Sequence, residues 1–236
     1  LFALKTFVDK KKRWIDPLKV IDHLKQLFWD KKNIIFTFLL VILVAFLSIK
    51  ISYSFIETCS KPEYAWDACA NWTTLGKNIY YTEQYRPDKL WKVMTSSASP
   101  SYPSNYPRAV YLMHYWLFWW MGEANDQWSK IIFPIELLCL LIVFYYGLKP
   151  VRGQLGAVAF TYFLCSAPLF LYHSTIGYAD LTKTIYFTIG IIYFYRWLQT
   201  KQYKYFWFFA IPLAFTTWIK LEGKTLYAVG LALLLF

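Results

Sequence analysis

Two short stretches hold the residues of this chain best suited to chemistry: Trp66-Asp67-Ala68-Cys69-Ala70-Asn71-Trp72 and Gly177-Tyr178-Ala179-Asp180. Each follows an oily segment, where a carboxylate is costly unless it has a partner or a task. A positioned carboxylate can take a proton from a hydroxyl, so Asp67 reads as a general base. It reads equally well as a helix N-cap, a role that Asp favours. Asp180 follows Gly177, a glycine that suits a tight turn, and opens the next apolar run; cap and site residue are compatible roles there. Lys220 and Glu222, in Trp218-Ile219-Lys220-Leu221-Glu222-Gly223-Lys224, end another apolar run. Such a lysine either binds phosphate as a point charge or snorkels to the headgroups, and Glu222 could orient it. Arg108, after Pro107, is a second candidate phosphate ligand. His173 is a proton carrier, a ligand or a structural histidine.

The elements that must position these residues are oily. The chain is 58% hydrophobic and 22% aromatic, with a mean hydropathy of +0.32. Several apolar runs approach the ~20 residues of helix that cross a bilayer. They are apolar all round, without the alternation of a membrane β-barrel. The expected class is therefore an all-α polytopic membrane protein. The net charge of +11 does not point to nucleic acid, because the basic residues cluster beside apolar runs.

Residues 1–33 are lysine-rich and read as a cytoplasmic segment. Asp16 and Pro17 open an amphipathic helix whose apolar face carries Leu18, Ile21, Leu24 and Phe28. That helix lies on the inner leaflet or packs on a neighbouring subunit. Spans are expected at about 34–51, 131–148, 155–172, 184–198, 205–219 and 225–236. A long outer loop, about 52–130, separates the first two. In it, Trp72, Leu75 and Ile79 share a helical face able to lie flat on the membrane, and Ser96–Pro107 is rich in turn residues.

Ala109–Met121 decides the topology. At about 13 residues it is too short to cross, so it reads as an interfacial or re-entrant helix on the outer surface. Lys149 and Arg152, and then Arg196, Lys201 and Lys204, thereby fall inside with the basic N-terminus. Asp67 and Asp180 fall together on the non-cytoplasmic side. The run Leu226–Phe236 and the non-Met start suggest part of a longer chain.

Other residues carry weaker signals. Glu136 lies within a span and is expected to pair with His114 or a basic group. Cys59 and Cys69 share the outer loop, and their separation allows a disulfide in an oxidising compartment. Cys139 and Cys165 read as small apolar residues of spans. Asn71-Trp72-Thr73 matches a glycosylation sequon. Three scattered histidines give no metal signature. Nucleotide-binding glycine motifs and hydrolase or metalloprotease motifs are absent from the sequence.

From Tyr53 onward, three blocks in order resemble the GT-C-fold glycosyltransferases, in the bacterial branch related to protein O-mannosyltransferases and aminoarabinose transferases. The first is Trp66-Asp67-Ala68 with Asn71-Trp72 and Lys77. The second is Ser101-Tyr102-Pro103 through Asn105-Tyr106-Pro107, followed by the aromatic helix. The third is Gly177-Tyr178-Ala179-Asp180-Leu181, leading to Trp218-Ile219-Lys220-Leu221-Glu222-Gly223.

The resemblance implies a GT-C-like transmembrane bundle with interfacial helices in its first outer loop. Asp67 would be the catalytic aspartate and Asp180 a second acid on the same cavity. Lys220 and Glu222 would sit near the donor phosphate, and Arg108, His173, Tyr178 and Lys77 complete the candidate substrate-binding set. The donor would be a polyprenyl-phosphate sugar, and the acceptor a hydroxyl of a glycan, lipid or protein. No cofactor is required, and no residue set supports a divalent metal, although the chemistry allows one. Two departures stand out: Leu221 replaces the family's usual Asn, and Ala68 follows Asp67 where protein mannosyltransferases carry a paired Asp-Glu. The competing expectation is a non-catalytic subunit of a larger membrane complex. A transporter is disfavoured, because the acids sit at segment ends rather than at mid-membrane.

Overall fold

The computed structural model describes residues 34–83 and 107–235. The expected amphipathic helix near Asp16 and the blocks from Ser101 to Tyr106 lie outside the described residues. The chain divides into two compact units, Leu1–Leu43 and Val44–Phe236. Of the first, the described part is the start of helix α1 (Ile34–Ser60). The described residues are helical, with no strand.

The rest of α1 belongs to the second unit, and α1 runs nine residues past the expected end at Ile51. Its polar residues there have partners inside the protein. The hydroxyls of Ser54 and Ser174 are 2.6 Å apart, and the Thr58 hydroxyl donates to Ser54 O at 2.6 Å. A helix continues through serine and threonine when their hydroxyls are satisfied in this way.

After an elbow, a π-turn (Ala68–Trp72) leads into α2 (Thr73–Thr82). Trp72, Leu75 and Ile79 do share a face, but they spend it on protein. They pack in the main core with Val110, Tyr111 and Phe133, so α2 does not offer that face to lipid. Its partner is α3 (Ala109–Met121), bounded by Arg108 and by Gly122 at φ 72. Gly76 allows their close approach, since a Cβ there would lie 2.9 Å from His114 Cβ.

A 3-10 turn (Trp128–Ile131) starts α4 (Ile132–Ser166). Gly153, at φ 68 and ψ −177, breaks α4 into two helices at a corner flanked by Lys149 and Arg152. The expected span at 155–172 is interrupted: Ala167 is extended before Pro168, which disfavours helical backbone in the preceding residue. A short α5 (Pro168–His173) follows. The helices α6 (Ala179–Thr200) and α7 (Tyr203–Ile219) form an antiparallel hairpin packed through Phe194, Phe209 and Leu213. The last described helix is α8 (Gly223–Ala232).

Contacts between these helices fix their directions. Arg196 near the end of α6 donates to Tyr146 O before the α4 corner. At the opposite end, the Thr182 hydroxyl donates to Glu136 at 2.7 Å. Glu136 therefore does not pair with His114, which sits at 3.0 Å from the Ser129 hydroxyl instead. Among the described residues, two stretches, Ile34–Ser60 and Trp128–Ser166, are long and apolar enough to cross a membrane.

Candidate functional site

The two aspartate stretches meet, and the residue that joins them is Glu63. This carboxylate is buried in the elbow after α1. Oε1 accepts from the N–H groups of Tyr64 at 3.1 Å and Ala65 at 3.2 Å, and Oε2 accepts from Gly177 N–H at 3.0 Å. Burial pushes the carboxyl up, and the charge of Lys130 partly pulls it back. Lys130 is itself fully buried and donates to Pro62 O at 3.2 Å. Gly177 is a glycine because of close approach, not because of a left-handed turn. A Cβ there would lie 2.5 Å from Glu63 Oε2 and 3.2 Å from Ala68 Cβ, and its φ is not positive.

Within the clasp, Asp67 N–H donates to the Tyr178 phenol oxygen at 3.4 Å. The Tyr178 ring lies edge-on to His173, with centroids 5.5 Å apart. Asp67 is half-buried and makes no side-chain cap hydrogen bond. Its carboxylate is reached by Asn71 Nδ2 at 3.5 Å, a long contact. Asn71 is buried beside it, so the sequon asparagine is not presented as a glycan acceptor.

Asp180 stands in the first turn of α6, where a negative charge suits the helix dipole. Its carboxylate is not a cap either. Lys220 Nζ lies 2.9 Å from each oxygen, and Lys183 Nζ lies 3.2 Å from Oδ1. Burial raises the Asp180 carboxyl, but the two lysines outweigh that and hold it below the ordinary aspartate value. Two lysines thus converge on one carboxylate. Lys220 is aimed by the turn between α7 and α8, which closes tightly: the Thr216 hydroxyl reaches Gly223 O at 3.1 Å, and a Cβ on Gly223 would fall 1.8 Å from Thr216 O.

A cavity of about 160 Å³ opens beside Asp180 and His173, walled by Leu169, Phe170, Leu181 and Thr184. Neither Asp67 nor Lys220 lines it. His173 Nδ1 has no hydrogen-bond partner among the described residues. Burial, with Lys220 and Lys183 in support and Asp180 opposing, holds this histidine below its ordinary value, which favours the neutral ring.

Asp180, Lys220, Lys183 and His173 thus gather at one place, and Asp67 connects to them through its backbone N–H on Tyr178. Lys77 stands apart, paired to Asp126 at 2.6 Å. Glu222 is exposed at the turn, and Asp180 rather than Glu222 orients Lys220. Arg108 opens α3, its carbonyl accepting from Leu112 N–H at 3.2 Å. Cys59 and Cys69 are free thiols, so the considered disulfide is not formed. The Cys69 thiol instead donates to Glu63 O at 3.3 Å. No cluster of potential metal ligands occurs among the described residues.

Sequence reasoning missed Glu63, Lys130 and Lys183. Only Lys183 had a local signal, its i,i+3 spacing from Asp180. No protein-family model, curated protein or solved structure matches the chain.

Proposed function

We propose that this chain is a polytopic membrane glycosyltransferase that moves a sugar from a polyprenyl-phosphate donor to an acceptor hydroxyl on the non-cytoplasmic side. The observation that carries the reading is the joining of both aspartate stretches to Lys220 through Tyr178 and His173. Asp67 takes the proton of the acceptor hydroxyl. The freed oxygen bonds to the anomeric carbon from the face opposite the phosphate, inverting it. The carbon–oxygen bond to phosphate breaks, and its electron pair leaves on the lipid phosphate. Lys220 and Lys183, gathered at Asp180, stabilise that leaving group as hydrogen-bond donors. The apolar walls Leu169, Phe170 and Leu181 suit the lipid part of the donor. The short basic connections at the α4 corner and between α6 and α7 support a cytoplasmic location for that end.

The test is donor turnover by the purified full-length protein against a panel of polyprenyl-phosphate sugars. Turnover should occur with at least one donor and vanish in Asp67→Asn, with the helical content of that variant unchanged. Near-normal turnover in Asp67→Asn would sink the assignment.

A second reading, a non-catalytic membrane subunit, is favoured by one observation. Asp180 and Lys77 both spend their charge on partners within the chain. Failure of every donor on the panel would select it.

A further inference from the structure

Glu136 is a carboxyl that the proposed transfer does not use. It stands on the second turn of α4, in the stretch Trp128–Ser166 that is long and apolar enough to cross a membrane. Ile135, Cys139, Ile142 and Tyr146 are exposed at the spacing of one helical face. In the membrane reading that face meets lipid, and Glu136 is half-buried at its edge. The carboxyl turns toward α6, where the Thr182 hydroxyl donates to Oε2 at 2.7 Å. Thr182 is fully buried. It lies on the side of α6 away from Asp180 and Thr184, which line the cavity, so this place is separate from that site.

The charged groups of the neighbouring elements are engaged elsewhere. Lys130, ahead of α4, donates to Pro62 O, and Lys183 and Lys220 meet at Asp180. On α1, Lys50 lies over the Tyr162 ring and Glu57 pairs with Lys61. His173 on α5 faces Asp180 across the cavity. Beside Glu136 stand Tyr186, one turn beyond Thr182, and Cys139. Among the described residues no cation pairs with this carboxyl. A carboxylate served by one neutral donor is costly in hydrocarbon, and the neutral acid is the lower-energy form. Oε2 then accepts from Thr182, and Oε1 holds the proton.

We propose that Glu136 and Thr182 form an intramembrane proton-binding site, open to lipid beside Ile135 and Cys139, at which Glu136 stands as a neutral carboxylic acid. This rests on the membrane part of the function proposed above and not on the sugar-transfer chemistry. The site would take apolar, carboxyl-directed electrophiles of the carbodiimide class from the bilayer. A carboxyl oxygen bonds to the central carbon of the carbodiimide, and the acid's own proton passes to one nitrogen. The acyl group then shifts from oxygen to the other nitrogen. No atom leaves, so the product is the protein plus one whole reagent. A carboxylate in hydrocarbon has no proton to give and does not start this reaction.

The experiment uses the full chain in phosphatidylcholine vesicles at neutral pH. It is treated with dicyclohexylcarbodiimide or with a water-soluble cationic carbodiimide, and adducts are mapped by peptide mass spectrometry. Separately, Cys139 is challenged with an apolar maleimide and with a sulfonated one that does not enter lipid. The expected result is an adduct at Glu136 with the apolar carbodiimide, several-fold above that with the water-soluble one and several-fold above that at the exposed carboxyls Glu123 and Glu222. The infrared carbonyl band of a neutral carboxylic acid should also weaken in Glu136→Gln. An unreactive Glu136 overturns the proposal, as does a preference for the water-soluble reagent. If either happens while Cys139 takes only the apolar maleimide, this inference falls and the membrane reading stands. If Cys139 also takes the sulfonated maleimide and Glu136 prefers the water-soluble reagent, both fall. The mass readout uses the unmodified chain, so it does not depend on the folding of a variant. No readout depends on transfer activity.

Discussion

Replacing Glu63 should cost more than replacing either aspartate. Its carboxylate serves two buried backbone donors, Ala65 N–H and Gly177 N–H, besides Tyr64 N–H. It is also a counter-charge for Lys130, which has no exposed surface. Each buried donor left unsatisfied costs about 1–3 kcal/mol. Two such donors are released, so Glu63→Ala is expected to lose about 2–6 kcal/mol. Glu63→Gln keeps the shape and one acceptor oxygen, so it satisfies either the elbow or Gly177 but not both. Its expected loss is about 1–3 kcal/mol. The assay is unfolding of the full-length protein in mixed micelles, followed by circular dichroism. Lys130→Met and the Glu63→Gln/Lys130→Met pair complete a double-mutant cycle, and the pair should lose less than the sum of the singles. A loss in Glu63→Ala below about 0.5 kcal/mol, the level of ordinary surface changes, would refute the clasp. So would strict additivity in the cycle.

Three further outcomes are expected. Gly223→Ala should disrupt the junction between α7 and α8, because its Cβ would fall 1.8 Å from backbone Thr216 O; melting should fall by several degrees, and unchanged melting would reject the close approach. A cycle of Asp180→Asn and Lys220→Met should show coupling of about 1.5–3 kcal/mol, as for hydrogen bonds to charged groups, and zero coupling would mean that the pair does not form. Acid should destabilise the fold through His114, which burial and then the charge of Lys130 push down from 6.5 to about 3. The unfolded chain takes up this proton near the ordinary value, so the contribution is complete above pH 6.5 and is lost as pH falls toward 3. Its full size is about 5 kcal/mol. His114→Phe should therefore flatten the acid limb of stability against pH. The raised Glu63 carboxyl acts with the opposite sign, favouring the fold as pH falls through its folded value toward 4.5, so Glu63→Gln should steepen that limb.

The parts of this fold that were legible in the sequence are those set by local chemistry. The limits of α3 were readable because Arg108 precedes it and Gly122 ends it in a left-handed conformation that glycine accepts. The shared face of Trp72, Leu75 and Ile79 was readable from helical spacing, but its partner was not. An apolar face looks the same whether lipid or α3 covers it. The true end of α1 was hidden because Ser54 and Thr58 look like loop residues until Ser174, more than a hundred positions away, supplies their partner.

The same distinction separates the acids. Asp67 and Asp180 stand out in sequence because charge is rare near apolar runs. Glu63, three residues before Trp66, carries no such local signal, since its main partner is a backbone N–H 114 positions away. Two motif glycines make sense only with such partners in view. Gly177 clears space for the Glu63 carboxylate, and Gly223 lets the chain close on Thr216 behind Lys220. Neither aspartate is aimed by capping its own helix. Asp67 is placed by the Glu63 clasp and the Tyr178 phenol, and Asp180 by two lysines. A site held in this way is rigid on the Asp180 side, where three charged groups meet. On the Asp67 side the carboxylate has, among the described residues, one long contact, to Asn71. That asymmetry leaves the Asp67 carboxylate less constrained than Asp180, as the proton transfer proposed for Asp67 requires.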